Sequence, residues 1–205
     1  PLGEVTGPSA GRAEPPSIRM GYFGVEGIDA LLPAGLSYDT QVMVEGETGI
    51  GTSVLASQFL YEGLAVGDTC IYIAIDEPPE MMRQNMANFR LATIVYERAG
   101  KLVFVDAFDR QMSREQHVIP DPGNFDEFFL CLRRIIEQYG RGPTRLIADS
   151  MSTIYATAAT ADILEFSAAR LRYLRSREVL TLDSYVLGVM DARALAGLQH
   201  SYPVI

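Results

Sequence analysis

The sequence predicts an α/β fold built on a mostly parallel sheet with helices on both faces. Three observations carry that prediction. Apolar, strand-like runs alternate with segments of helical periodicity along most of the chain. The strand-like runs are apolar at successive positions rather than at every second one, the pattern of strands covered on both sides. With 205 residues, of which 48% are hydrophobic and 21% charged, the chain is long enough for one substantial core and short for two.

The elements follow in order. Residues 1–17, rich in Pro, Gly and small polar types without apolar periodicity, read as a flexible leader, and residues 18–205 as one domain. GYFGVEGIDALLPAGL, starting at Gly21, predicts a short helix near residues 27–32 and then a Pro/Gly break. QVMVEG reads as a strand and is followed by a helix over 52–65; CIYIAI is a second strand, followed by a helix over 79–89. LVFVDAF, a helix over 124–139, RLIADS and the helical ADILEFSAARLRYLRSR come next. In the helix over 124–139, Phe125, Phe128, Phe129, Leu132, Ile135 and Ile136 fall on one stripe, which is a core face. The tail predicts one or two strands, a short helix over 191–200 and a closing strand that ends at Ile205.

Composition narrows the function classes. The net charge is −9 and Lys101 is the single lysine, so broad attraction to a nucleic-acid backbone is disfavoured, although a local basic loop remains compatible with it. No apolar run reaches the roughly 18 residues of a membrane span, and no basic segment followed by an apolar one opens the chain, so a cytoplasmic protein is expected. Cys70 and Cys131 fit neither a disulfide framework nor a zinc site and read as buried free thiols. His117 and His200 are isolated and predict no metal site.

Three segments carry chemistry. The first is Gly46-Glu47-Thr48-Gly49-Ile50-Gly51-Thr52-Ser53, between a predicted strand and a predicted helix. Glycines allow successive N–H groups to curl around phosphate oxygens, the helix start adds positive potential, and Ser53 stands where a hydroxyl ligates Mg²⁺. The pattern differs from a complete phosphate loop in having Thr52 at the lysine position, and by itself it equally fits a glycine turn feeding a helix. The second segment ends a strand in Asp76 and Glu77 before a helix opening at Pro79; one of these acids is placed to orient or deprotonate an attacking water, or both simply complement a helix start. The third ends the strand RLIAD in Asp149, the form of acid that holds Mg²⁺ in phosphate-loop enzymes. Together these segments set Ser53, Glu77 and Asp149 at the carboxyl ends of parallel strands, the edge where open α/β sheets bind ligands.

At these residues the sequence resembles the KaiC-like ATPases of the RecA superfamily, related to archaeal RadA and Rad-type recombinase paralogues. The resemblance runs from GVEGIDALLPAGL through VMVEGETGIGTSVLASQFLYEGLAVGD and CIYIAIDEPPEMMRQNMANF to KLVFVDAF, RLIADSMSTI and DSYVLGVMDARALAGLQHSYPVI. It implies a RecA-type P-loop core, ATP and Mg²⁺ as cofactors, and assembly into homo-oligomers, hexameric rings among them. It also implies that Gly46, Gly49, Gly51, Thr52 and Ser53 form the phosphate loop, that Ser53 and Asp149 attend the metal, and that Asp76 and Glu77 are the paired catalytic acids. Two departures stand out: Thr52 in place of lysine, a degenerate Walker A motif, and Asp76 in place of the first of two glutamates.

The lysine of such a loop puts a full charge on β- and γ-phosphate oxygens. A charge-assisted hydrogen bond contributes about 1.5–3 kcal/mol, and losing one transition-state donor costs about 10²–10³ in rate. The expectation is therefore an ATP-binding protein with weak or lost hydrolysis. Lys101 precedes a strand, at the end opposite the ligand edge, and is no substitute. Three other readings stay open: an active ATPase using an arginine in trans, a non-catalytic module that assembles with or regulates a protein partner, and a recombinase-like paralogue contacting nucleic acid through the loop that carries Arg110, Arg114 and His117.

Overall fold

The computed structural model describes residues 19–205, and the leader expected over 1–17 lies outside them. A small antiparallel pair, β1 (Met20–Gly21) and β2 (Leu36–Ser37), brackets the one-turn helix α1 (Glu26–Asp29). β3 (Gln41–Gly46) then leads through a glycine turn into α2 (Thr52–Ala65), and β4 (Thr69–Ala74) leads into α3 (Pro79–Asn88) and α4 (Ile94–Arg98). β5 (Leu102–Asp106), β6 (His117–Val118) and α5 (Phe125–Tyr139) follow. β7 (Thr144–Asp149), α6 (Met151–Tyr155), α7 (Thr160–Ser176), β8 (Val179–Val186) and α8 (Ala192–Gln199) complete the described chain.

The main sheet has the order β3-β8-β7-β4-β5-β6 with every neighbour parallel, so long crossovers join the strands; all but the β5–β6 connection carry helices, which end up on the two faces. On one face, Ala56, Phe59 and Leu60 of α2 and Met82 and Met86 of α3 pack on Tyr72, Ile147 and Leu182. On the other, Phe128, Leu132 and Ile136 of α5 and Leu171 and Leu174 of α7 pack on Ile71, Ile73, Val105 and Leu146. Successive residues of β4 thus serve opposite cores, which is why the run reads as continuously apolar.

Local chemistry sets the helix boundaries. Asn124 accepts a hydrogen bond from Glu127 N at 3.1 Å and so caps α5, and α3 opens at a proline, whose missing N–H is tolerated in a first turn. Two buried ion pairs bind the layers together. Arg145 Nε donates to Asp68 at 2.8 Å, joining β7 to the turn after α2. Arg170 donates two bonds to Asp183, at 2.6 and 2.7 Å, joining α7 to β8.

Several expectations change in detail. The closing strand is reduced to one parallel bridge, Val42 with Val204, in which Met43 N donates to Val204 O at 2.9 Å. The segment read as a loop contains β6, and there His117 is half-buried against Tyr139 at 2.9 Å, whereas Arg110 and Arg114 are exposed. Both cysteines are free, but only Cys70 is buried; Cys131 is half-buried. No helix among the described residues is long and apolar enough to cross a membrane.

Candidate functional site

The turn from β3 to α2 is built on glycine. A Cβ on Gly46 would stand 2.6 Å from Ile50 Cγ2 and 2.9 Å from Thr52 Cγ2, closer than packed atoms allow. Gly49 and Gly51 have φ of +83° and +106°, in the left-handed region that favours glycine, with open space where a side chain would be. Glu47, Thr48, Gly49 and Ile50 are exposed. Thr52, at the lysine position, turns its methyl back toward Gly46 and carries no charge outward.

The start of α2 is left electrostatically open. No side chain caps it, and no acid lies in its first turn. Each other described helix of eight or more residues has at least one of these: Glu80 in α3, Asn124 with Asp126 and Glu127 in α5, Asp162 in α7, and Asp191 capping α8. The first N–H groups of a helix lack intrahelical acceptors and carry about half a positive charge. At α2 that potential meets only the exposed glycine turn and the exposed Ser53, whose carbonyl accepts from Ser57 Oγ at 2.8 Å.

Asp149 ends β7 on the same face of the sheet. It is 8% exposed and accepts from Tyr72 Oη at 2.7 Å and from Ser184 Oγ. Ser184 is paired in register with Val44, two residues before Gly46. Asp149 is therefore two strands, about 10 Å, from the strand that feeds the glycine turn. Among the described residues Asp149 makes no salt bridge, whereas buried Asp68 and Asp183 each pair with an arginine. Burial and the neighbouring Asp149 hold the Tyr72 phenol well above its ordinary range, so it acts as donor.

Asp76 N and Ile75 N both donate to the Asp149 carbonyl, at 3.3 and 2.9 Å, which locks the two acids' backbones together. Burial raises the Asp76 carboxyl above the usual range; a hydrogen bond from Thr153 opposes this, and the Asp149 charge adds to it. Asp76 also borders a cleft of about 460 Å³ with Ile75, Ala107, Phe108 and Thr153 at the carboxyl edge. Glu77 is exposed and accepts from Asn85 Nδ2 at 3.3 Å.

The structure thus brings together Gly46, Ile50 and Thr52 in one turn, and Asp76 with Asp149 at one strand end. Among the described residues it places no hydrogen bond from Ser53 or Glu77 to Asp149. Lys101 lies at the amino end of β5, donating to Gly67 O at 3.0 Å, and Phe59 is core. Sequence reasoning missed Tyr72, Ser184 and Asn85. The first two were visible only as polar interruptions in apolar strands, IYIA and LDSY, and Asn85 had no signal.

Comparisons with known proteins point one way. A family model described as "ATPase: KaiC" matches residues 22–184. A UPF0273 protein of Pyrococcus furiosus is 34% identical over 142 residues, covering 67% of this chain and 57% of that protein. A UPF0273 protein of Thermotoga maritima is 30% identical over 138 residues, covering 65% and 56%. The chain spans about half the length of the curated relatives it matches. The crystal structure of a KaiC-like protein from Pyrococcus horikoshii superposes with a TM-score of 0.67 at 25% identity, over 82% of this chain and 71% of that one.

Proposed function

The chain belongs to the KaiC ATPase family, and from that membership we propose that it binds ATP with Mg²⁺ at the glycine turn, with hydrolysis weak or lost because Thr52 replaces the lysine. The family generally binds ATP with Mg²⁺ and forms oligomers. The observation that carries the reading to this chain is the pairing of an uncapped α2 start with a buried aspartate that has no cationic partner among the described residues, on one face of one sheet. An anion stabilises the first, and a cation the second.

The residues present fit such a ligand. Ser53 and Asp149 offer hard oxygen donors, which suit Mg²⁺, and the hydroxyls on Asp149 leave part of its acceptor capacity free. The N–H groups of the turn and the start of α2 would bind phosphate oxygens, apart from Ile50 N, which donates to Glu47 O at 3.2 Å, with Gly49 and Gly51 leaving the approach unobstructed. When bound, Mg²⁺ supplies charge neutralisation to β- and γ-phosphate oxygens. Glu77, exposed on the surface, is the residue assigned to orient and deprotonate water, with Asp76 beside it. Thr52 contributes no charge to the transferred group, so binding outlasts turnover.

Isothermal calorimetry with ATP and Mg²⁺ tests this. Micromolar binding with a raised melting temperature is expected. A protein that binds neither ATP nor ADP would overturn the reading and leave the non-catalytic module as the alternative.

A further inference from the structure

We propose that Tyr72 is a positioning residue for Asp149, holding the carboxylate in a metal-ready orientation without neutralising it; this rests on the reading of Asp149 given above. Tyr72 lies on β4, hydrogen-bonded directly to β7, and is paired in register with Ile147, two residues before Asp149 on the same face. Its phenol spans that offset and donates to Asp149 Oδ2 at 2.7 Å. From the opposite neighbouring strand, β8, Ser184 donates to Oδ1. A hydroxyl from each flanking strand therefore grips one carboxylate oxygen.

The chemistry of the grip matters. A guanidinium in this place would fix Asp149 equally well but cancel its charge, as Arg170 does for Asp183. A neutral hydroxyl fixes orientation and leaves the negative charge, and each carboxylate oxygen keeps a further acceptor direction. Tyr72 is itself immobilised: it is fully buried, its ring tilts against Phe104 at 5.9 Å between centroids, and its oxygen lies 3.7 Å from Met82 Sδ. An anchored donor transmits the rigidity of β4 to the acid; groups that orient metal ligands typically change metal affinity by about 10- to 100-fold when removed.

The test is the affinity of a non-hydrolysable ATP analogue with Mg²⁺ and with EDTA, for the wild type, Tyr72→Phe and Ser184→Ala, repeated with Mn²⁺. Tyr72→Phe keeps the ring and the core. The expected result is a Mg²⁺-dependent gain that falls about tenfold in Tyr72→Phe while the EDTA affinity is unchanged, with Ser184→Ala acting in the same direction. A full Mg²⁺-dependent gain in Tyr72→Phe overturns the proposal, as does an equal loss with and without metal, which would mark a purely structural role. A wild type that binds the analogue with no metal-dependent gain overturns the assignment of Asp149 itself, and does so without reference to any variant.

Discussion

Asp149 and Asp183 stand on adjacent strands, β7 and β8, and both are buried, yet they are held in opposite ways. Asp183 faces α7 and takes two bonds from Arg170 and a third from Tyr202 Oη at 2.5 Å, so its charge is balanced and most of its acceptor sites are taken inside the protein. Asp149 faces α2 at the carboxyl edge, and among the described residues its carboxylate takes only two neutral hydroxyls. Burying a carboxylate without a cation is costly, and the cost is sensible where a cation arrives from outside. The comparison separates an acid paired with a cation inside the protein from one that, on the proposed reading, is left for a ligand.

The comparison breaks first at Asp183. Asp183→Ala strands Arg170 in the core, and urea unfolding is expected to show a loss of about 3–5 kcal/mol; a loss below about 1 kcal/mol would erase the distinction. Helix starts offer a milder version of the same contrast. Asn124→Ala removes the cap of α5 and should cost about 1 kcal/mol while leaving ATP affinity unchanged, because α5 has a structural start and α2 an open one.

Asp149→Asn sharpens the other side. It keeps the shape but removes the charge and turns one acceptor oxygen into an NH2 donor, so one of the two hydroxyls loses its acceptor; stability should change by about 1 kcal/mol while the Mg²⁺-dependent part of ATP affinity disappears. The smallest effect is expected at Asp76. Its carboxyl is raised in the folded state, so ionisation occurs more readily in the unfolded chain, and the protein loses stability as pH climbs from the ordinary carboxylate range through the raised value. Asp76→Asn should therefore melt higher than the wild type at neutral pH, with the difference vanishing in acid below the unfolded value; a gap that persists there would mean that packing, not charge, separates them.

Much of this fold was legible because its signals are long. The bounds of β3 and α2 follow from six apolar-rich residues, a glycine turn and fourteen helical residues. The short pieces were not: α4 and α6 have five residues each and β6 two, too few for any periodicity to register. In the site, the glycine turn and the strand-terminal acids were legible because their chemistry is concentrated in contiguous residues. Tyr72 and Ser184 were not, because they meet Asp149 only through the register of three parallel strands, which no single segment encodes.

The charge comparison also isolates Thr52. On the proposed reading Asp149 would take a cation, and the glycine turn, with Thr52 at the lysine position, carries no basic side chain to offer a phosphate. Phosphate release with ATP and Mg²⁺, measured side by side for the wild type and Thr52→Lys at several protein concentrations, tests this most directly. Near-background release is expected in the wild type, with an increase of about 10²–10³ on restoring the lysine. Brisk Mg²⁺-dependent turnover by the wild type, abolished by Glu77→Gln, would contradict it.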